Sequence, residues 1–488
     1  MPAFPDTEHR RPLPVIEQIV RRASGARASS GNHIEILLDS TENFPEWEAA
    51  LRQAQSSICI EMYIFARNAF GRKIRSILLE RLRAGVAVVL VYDWLGSLPA
   101  HMSGFFRPLK AAGAQVYAYN PLGRASGLGI ISRNHRKSII VDEQTAFVSG
   151  LCISSAWAGN PAKGIAVWRD TGLKLRGPVV QDVLDAFADT LAVSGGRLPQ
   201  AVKCYEAGEG VFAGEATARV LATTPQNINT MRLDLNLIGL ARQNLWITDA
   251  YFMPTRMYVQ ALINAAKAGV DVRILVPRTS DIRWIGTVSR TQYRPLLDAG
   301  VRVYEWNGTM LHAKSAIIDG EWARVGSTNL NLSSWYANRE LDISIEDSGT
   351  VYKLERCFLR DLENATEVVL DARQHAALRQ EREKIFQNHK ALHSGQVKGV
   401  VRQVIQLSYA FDATLPGVRP VAPSEAWAYL SIGMAVLLLA ALVWFVPQLV
   451  VWPLLLVLLA GGGGTTVQAL RQLYTLHRQK SRDRADKV

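Results

Sequence analysis

The chain has 488 residues, 48% of them hydrophobic and 20% charged, a length and composition that can bury two ordinary domain cores. Its formal net charge of +12 points to polyanionic partners, either nucleic acid or an anionic membrane surface. Four scattered cysteines (Cys59, Cys152, Cys204, Cys357) show no disulfide-rich pattern and no metal-type pairing, which fits a reducing compartment; no metal or other cofactor is expected, since Lys137 and Lys314 can supply the positive charge.

Residues 1–32 read as a flexible basic arm, arginine-rich and Pro-containing, without the apolar core of a cleaved signal. Ordered structure is expected from residue 33, with an alternating strand at 33–38, a helix at 44–55 and a strand at 57–65. A second helix at 71–83 is closed by Gly85, and 86–92 forms a buried strand. Strands alternating with helices imply crossovers and a largely parallel sheet. The same text then returns: 53–65 (QAQSSICIEMYIF) matches 241–252 (ARQNLWITDAYF), with Tyr63 and Tyr251 in corresponding places. An internal duplication follows, with lobes at 33–200 and 201–375 facing a shared cleft. Residues 376–425 read as a basic helical stretch, either a solvated extension or a surface helix on acidic headgroups. From 426 to 470 there is not one Asp, Glu, Lys, Arg or His. A bilayer span needs ~20 apolar residues. A membrane segment is therefore expected, a two-helix hairpin in preference to one kinked span, with the basic tail 471–488 on the cytoplasmic side.

Each lobe carries one H-x-K-x4-D motif. The first is His135-Arg136-Lys137 ending at Asp142; the second is His312-Ala313-Lys314 ending at Asp319. On a strand, positions i and i+2 face one side, so each imidazole stands beside its lysine. That pairing suits chemistry on a phosphate anion, with a nucleophilic or acidic imidazole beside a permanent cation. The second motif is followed by Gly326-Ser327-Thr328-Asn329, the first by Ser149-Gly150-Leu151-Cys152, so Cys152 replaces Asn329.

Duplicated H-x-K-x4-D with a G-S-x-N tail resembles the phospholipase D superfamily, and the text from about 33 to 375 looks most like bacterial cardiolipin synthases. The resemblance implies an α/β fold of two similar lobes with mixed, largely parallel sheets flanked by helices, followed here by the transmembrane segment. It implies a phosphatidyltransferase of the bacterial inner membrane, with its lobes on the cytoplasmic side. Such an enzyme joins two phosphatidylglycerols with release of glycerol through a phosphohistidine. A phospholipase D-type hydrolase and a membrane-tethered nuclease are the alternatives. The nuclease lacks an extended basic groove interleaved with aromatics, which makes nucleic acid the weaker partner.

The chemistry needs one neutral and one protonated imidazole, supplied by His135 and His312, with attack assigned by resemblance to His135. Lys137 and Lys314 are expected to bind the non-bridging oxygens, with Ser327 and Asn329 as neutral donors. Each imidazole needs a carboxylate on its other nitrogen. The candidates are Glu340, downstream of His312 in Asn338-Arg339-Glu340, and Asp170, its first-half counterpart in Trp168-Arg169-Asp170. Asp142 and Asp319 complete the motifs and are grouped with the catalytic set. Their expected task is to hold the local backbone or link the lobes, not to transfer protons.

Overall fold

The computed structural model describes residues 13–121, 132–203, 211–225 and 227–369. Apart from Asn120, Pro121 and Ser132, these residues form one compact unit that contains the whole candidate site. The expected membrane hairpin at 426–470 and the basic segments on either side of it lie outside the described residues. Among the described residues no helix is long and apolar enough to cross a membrane.

The first half contributes β1 (Ser29–Leu38), β2 (Ser57–Met62), β3 (Ala87–Asp93), β4 (Gln115–Tyr119), β5 (Ser138–Val141), β6 (Thr145–Ser149) and β7 (Thr171–Arg176). Its helices are α1 (Leu13–Ser24), α2 (Asp39–Gln53), α3 (Ala69–Arg83), the short α4 (Leu98–Met102) and α5 (Arg107–Ala111), and α6 (Val179–Val193). The second half contributes β8 (Ala216–Thr223), β9 (Asn244–Thr248), β10 (Asp271–Pro277), β11 (Arg302–Trp306), β12 (Ser315–Ile318), β13 (Trp322–Gly326), β14 (Glu340–Ile345) and β15 (Ala365–Val368). Its helices are α7 (Asn229–Leu240), α8 (Arg256–Lys267), α9 (Arg283–Thr291), α10 (Tyr293–Asp298) and α11 (Ser348–Glu363).

All 15 strands lie in one sheet, in the order β15-β11-β10-β9-β12-β13-β14-β8-β1-β7-β6-β5-β2-β3-β4. Read outward from the β8–β1 junction, the strands of the two halves follow the same order, which is the duplication seen in the text. At the junction, Ser29 pairs with Ala218 and Asn32 with Ala216 across an irregular register. The Asn32 amide donates to the carbonyls of Ser29 and Ala216 at 2.7 and 3.1 Å and so stitches the irregularity.

Two expectations need correction. Only β2–β3, β3–β4, β9–β10 and β10–β11 are parallel; the other pairings in the sheet are antiparallel, so it is mixed but not largely parallel. Each parallel pair is joined through helices, and α2 and α7 likewise join the non-adjacent β1 and β2, and β8 and β9, whereas β5–β6–β7 and β12–β13–β14 join by connections without an α-helix, which suits antiparallel neighbours. Residues 13–32 are likewise no flexible arm. Leu13, Ile16, Val20 and Ala23 fall at helical spacing, and in α1 Val20 and Ala23 are buried in the second half's core.

Alternation along the strands splits the core into layers. Ile58, Ile60, Val88 and Leu90 face α2 and α3, with Trp47, Ile74 and Ile77. On the other face, Cys59, Val89, Val91 and Leu173 join Ala323, Val325 and Ile343 in one apolar mass with α6 and α11, spanning both halves. Because β5 runs antiparallel to β2 (Glu61 opposite Ser138), the first histidine lies just past the C-terminal end of β2. Within the first half the register puts the start of β7 and the ends of β3 and β6 at this site edge, and within the second half it puts the start of β14 and the ends of β10 and β13 beside the second histidine. Because β1 and β8 pair antiparallel, the two site edges lie on opposite sides of the strand ladder and are brought together by contacts between the halves.

Candidate active site

The two histidine segments and the two carboxylate segments are laced together by backbone bonds that cross between the site edges of the two halves. His135 N donates to Arg339 O at 2.9 Å, and Arg339 N to Arg133 O at 2.9 Å. The mirror arrangement has His312 N donating to Arg169 O at 2.7 Å and Arg169 N to Met310 O at 2.8 Å. The lacing decides the side-chain partners. His135 Nδ1 lies 2.8 Å from Glu340 Oε2, and His312 Nδ1 lies 2.8 Å from Asp170 Oδ2. Each imidazole is thus held by the carboxylate of the opposite half, leaving its Nε2 as the nitrogen open to chemistry.

Both lysines are buried beside these rings. Lys137 Nζ donates to His135 O at 2.5 Å. Lys314 Nζ donates to His312 O and sits 2.9 and 3.1 Å from the two nitrogens of the His312 ring. Tyr63 and Tyr251, the pair that anchored the repeat, stand edge-on to His135 and His312 with centroids 4.9 and 5.8 Å away. Each tyrosine also lies under its own half's lysine.

The sequence model described as "Cardiolipin synthase, PLD-like domain" matches residues 47–156 and 235–362. Cardiolipin synthase 1 of Bacillus anthracis is 30% identical over 376 residues, covering 75% of this chain and 73% of that protein. A probable cardiolipin synthase of Bacillus subtilis is 32% identical over 347 residues, 70% of this chain and 69% of that one. The chain belongs to the cardiolipin synthase family. It is a phospholipase D-type phosphatidyltransferase. The crystal structure of a phosphatidylserine synthase from Haemophilus influenzae shares the fold, with a TM-score of 0.56 at 15% identity over 80% of this chain and 99% of that one.

In this cardiolipin synthase family member the charges are arranged so that both carboxylates stay ionised. Burial would raise Asp170, but His312, Lys314 and the Trp157 indole outweigh it and hold the carboxyl below its usual range. Glu340 is held down in the same way against burial, by His135, Lys137 and Ser327. Burial pushes His135 down despite Glu340. Burial and the neighbouring Lys314 push His312 down to about 4, and burial pushes Lys314 down to about 8. Both imidazoles are thus held below the usual histidine range.

The expected site residues separate into those the fold gathers and those it does not. His135, Lys137, His312, Lys314, Asp170 and Glu340 come together. Ser327 is at the site, but its hydroxyl donates to Glu340 Oε2 at 2.7 Å, so it steadies a carboxylate where a phosphate contact was expected. Asn329 is buried there with its Oδ1 unpartnered. The fold does not bring Asp142 and Asp319 to the gathered groups. They sit at the far ends of β5 and β12 in the left-handed region (φ 53° and 54°), which Asp tolerates. Asp142 accepts from the amides of Gln55, Ser56 and Ser57, and Asp319 from those of Arg242, Gln243 and Asn244. Each fixes the loop that launches the neighbouring strand. Cys152 is buried in the first-half core, and burial pushes its thiol up, away from nucleophilic character.

Sequence reasoning missed four groups. Trp157 Nε1 donates to Asp170 Oδ2 at 2.9 Å, and its ring stands perpendicular to His312 at 5.2 Å, with Trp168 at 5.9 Å. No periodicity marks these tryptophans. Arg169 and Arg339 immediately precede the two carboxylates, a repeated dipeptide that was legible. Arg169 Nε donates to both oxygens of Asp361 on α11 (2.8 and 3.0 Å), and Arg339 to Asp189 and Thr190 on α6. Each arginine ties its half to a helix of the other.

Proposed function

We propose that this enzyme transfers the phosphatidyl group of one phosphatidylglycerol to the terminal hydroxyl of a second, releasing glycerol. The observation that carries the reading is the exchanged pair of His–carboxylate couples, flanked by two buried lysines, where the two halves meet. The substrate identity draws on the relatives' names, which describe cardiolipin synthases.

In this reading the phosphodiester anion lies between Lys137 and Lys314, whose ammonium groups neutralise the non-bridging oxygens. Its charge offsets theirs and raises the neighbouring imidazole, so His312 can take up a proton on binding. His135 Nε2 attacks phosphorus while the bond to the glycerol oxygen breaks, and His312 protonates the departing alkoxide. The second phosphatidylglycerol then loses its hydroxyl proton to His312 and attacks phosphorus, freeing His135. Glu340 and Asp170 hold Nδ1–H throughout and stabilise each imidazolium as it forms. The apolar segment 426–470 would hold the enzyme at the bacterial inner membrane, raising the concentration of lipid at the site.

Product analysis tests the reading. Purified full-length enzyme added to phosphatidylglycerol in detergent should yield cardiolipin and glycerol in equal amounts. Phosphatidic acid with glycerol would mean that water is the acceptor. No turnover would leave the assigned lipid wrong.

A further inference from the structure

The connections on the site edges carry a second pattern. Leu95, Met102, Ile165, Ile282, Leu332 and Tyr336 are among the large apolar residues that stay exposed, from 39% for Ile282 to 73% for Met102. Each belongs to a connection that leaves the sheet where the histidines sit. Leu95 and Met102 follow the end of β3, and Ile165 lies between β6 and β7. Ile282 follows β10, and Leu332 and Tyr336 lie between β13 and β14. Both halves contribute, and the contributing strands lie on either side of the β1–β8 junction.

Charge follows the same division. From the ends of β2, β3, β6, β9, β10, β11 and β13 to the next α-helix or strand, the exposed charged residues among those described are Arg67, Lys163, Arg278 and Asp281. Asp281 is engaged by the Tyr251 hydroxyl at 2.9 Å. Exposed apolar side chains on several separate loops, interspersed with basic and few acidic groups, match an anionic lipid interface: apolar tips enter the acyl boundary and cations meet phosphates. A soluble partner would explain the exposure but not why it surrounds the edges where a lipid-phosphate enzyme holds its histidines.

We infer that this rim is a membrane-docking surface, which seats the site edges on the anionic leaflet so that a phosphatidyl headgroup enters the cleft without leaving the bilayer. The inference rests on the phospholipid reading above and goes beyond it, because it makes the catalytic unit itself, and not only the apolar segment 426–470, a membrane-binding element. Tyr352, an exposed residue near the start of α11, and Phe212, just before β8, lie away from the site edges and serve as controls.

The full-length chain is reconstituted in vesicles of phosphatidylglycerol and phosphatidylethanolamine, with an environment-sensitive fluorophore on Met102→Cys or on Tyr352→Cys. The unsubstituted chain, labelled in parallel, sets the background from native thiols. Nitroxide-bearing lipids should quench the label at 102 and spare the label at 352. Equal quenching at both sites, or none at 102, overturns the inference. In parallel, Leu95→Asp combined with Leu332→Asp should raise KM for vesicle phosphatidylglycerol about tenfold, as expected when two apolar contacts with the interface are lost. The same variant should keep kcat on monomeric short-chain phosphatidylglycerol, and Phe212→Asp should change neither. An equal loss on both substrates means a damaged cleft and argues against docking. If the enzyme converts no phosphatidylglycerol while the label at 102 is still quenched, the rim stands and the substrate assignment falls.

Discussion

His135 and His312 hold matching positions in two halves built to one plan, yet their surroundings differ. The second acceptor bond on Glu340 Oε2 comes from a serine hydroxyl, and that on Asp170 Oδ2 from a tryptophan indole. The strand register puts Gly150 in the position that Ser327 holds in the other half, and the difference is enforced by space. A Cβ at Gly150 would lie 2.3 Å from Asp170 Oδ1, so no serine fits there. Both lysines bond the carbonyl of their own histidine, but Lys314 also lies 2.9 Å from His312 Nδ1, and two tryptophans stand near that ring. The frame is symmetric and the electrostatics are not. Two imidazoles in unlike fields are what a reaction needs when one must attack and the other must move protons.

The sharpest test of this contrast exchanges the histidines for alanine, which should cost about 10⁴-fold in kcat/KM at either position because the groups act as a unit. The two variants part on a substrate with a nitrophenol leaving group, which needs no acid. His312→Ala should accumulate a phosphohistidine at residue 135 by acid-quenched mass spectrometry, and His135→Ala should form none. An adduct on His312 instead would reverse the roles.

A smaller loss is expected at the lysines. Lys314→Met should lower kcat about a hundredfold or more, the cost of one lost donor to developing charge, whereas Lys267→Met on α8 should do little. Steady-state rates that fall equally in both would remove the assignment.

The Trp157 bond offers a finer probe. Trp157→Phe deletes one donor to an ionised carboxylate, making Asp170 more basic and the His312 imidazolium more favourable. The group held down to about 4 should therefore titrate higher, and the alkaline limb of kcat/KM, where His312 loses the proton it must donate, should move to higher pH, with a loss of about tenfold or less at pH 7 from the less firmly held carboxylate. An unmoved limb with the same loss would mean that the indole only packs. Ser327→Ala should act likewise on the His135 side.

The least effect on turnover is expected at the motif aspartates. Asp319→Asn leaves the β9 launch loop with weaker acceptors and should lower stability by about 1–2 kcal/mol, read from the denaturant midpoint, with kcat retained within a factor of about two. A catalytic loss at unchanged stability would return Asp319 to the site.

These contrasts also mark where sequence reading reaches. Duplicated text located both histidines, both lysines and the tyrosine pair, because repeats and i, i+2 spacing survive in one dimension. The partner exchange did not show, since the stretch from His312 to Glu340 says nothing about which half's imidazole the carboxylate will meet. That is decided by backbone lacing at Arg169 and Arg339. The parallel sheet was over-read because β–α alternation runs from β1 to β4 and from β8 to β11, yet the later strands β5–β7 and β12–β14 insert antiparallel between β1 and β2 and between β8 and β9. Helix α1 was hidden by an arginine-rich, proline-bearing stretch whose polar residues mask its apolar spacing. Ser327 is legible as a site residue but its bond to Glu340 is not, since a hydroxyl's acceptor depends on a strand that its own segment does not specify.

The reciprocal holding of each imidazole by the other half has an evolutionary consequence. Were the halves two copies of one gene product, every substitution would be made twice, and both sites would change together. Joined in a single chain, they are released from that constraint. Aspartate can face glutamate, glycine can face serine, and a tryptophan can be gained on one side alone. Yet neither half can drift far, because each still carries the other's carboxylate. Fusion here is what allows a division of labour, and mutual dependence is what keeps the two workers together.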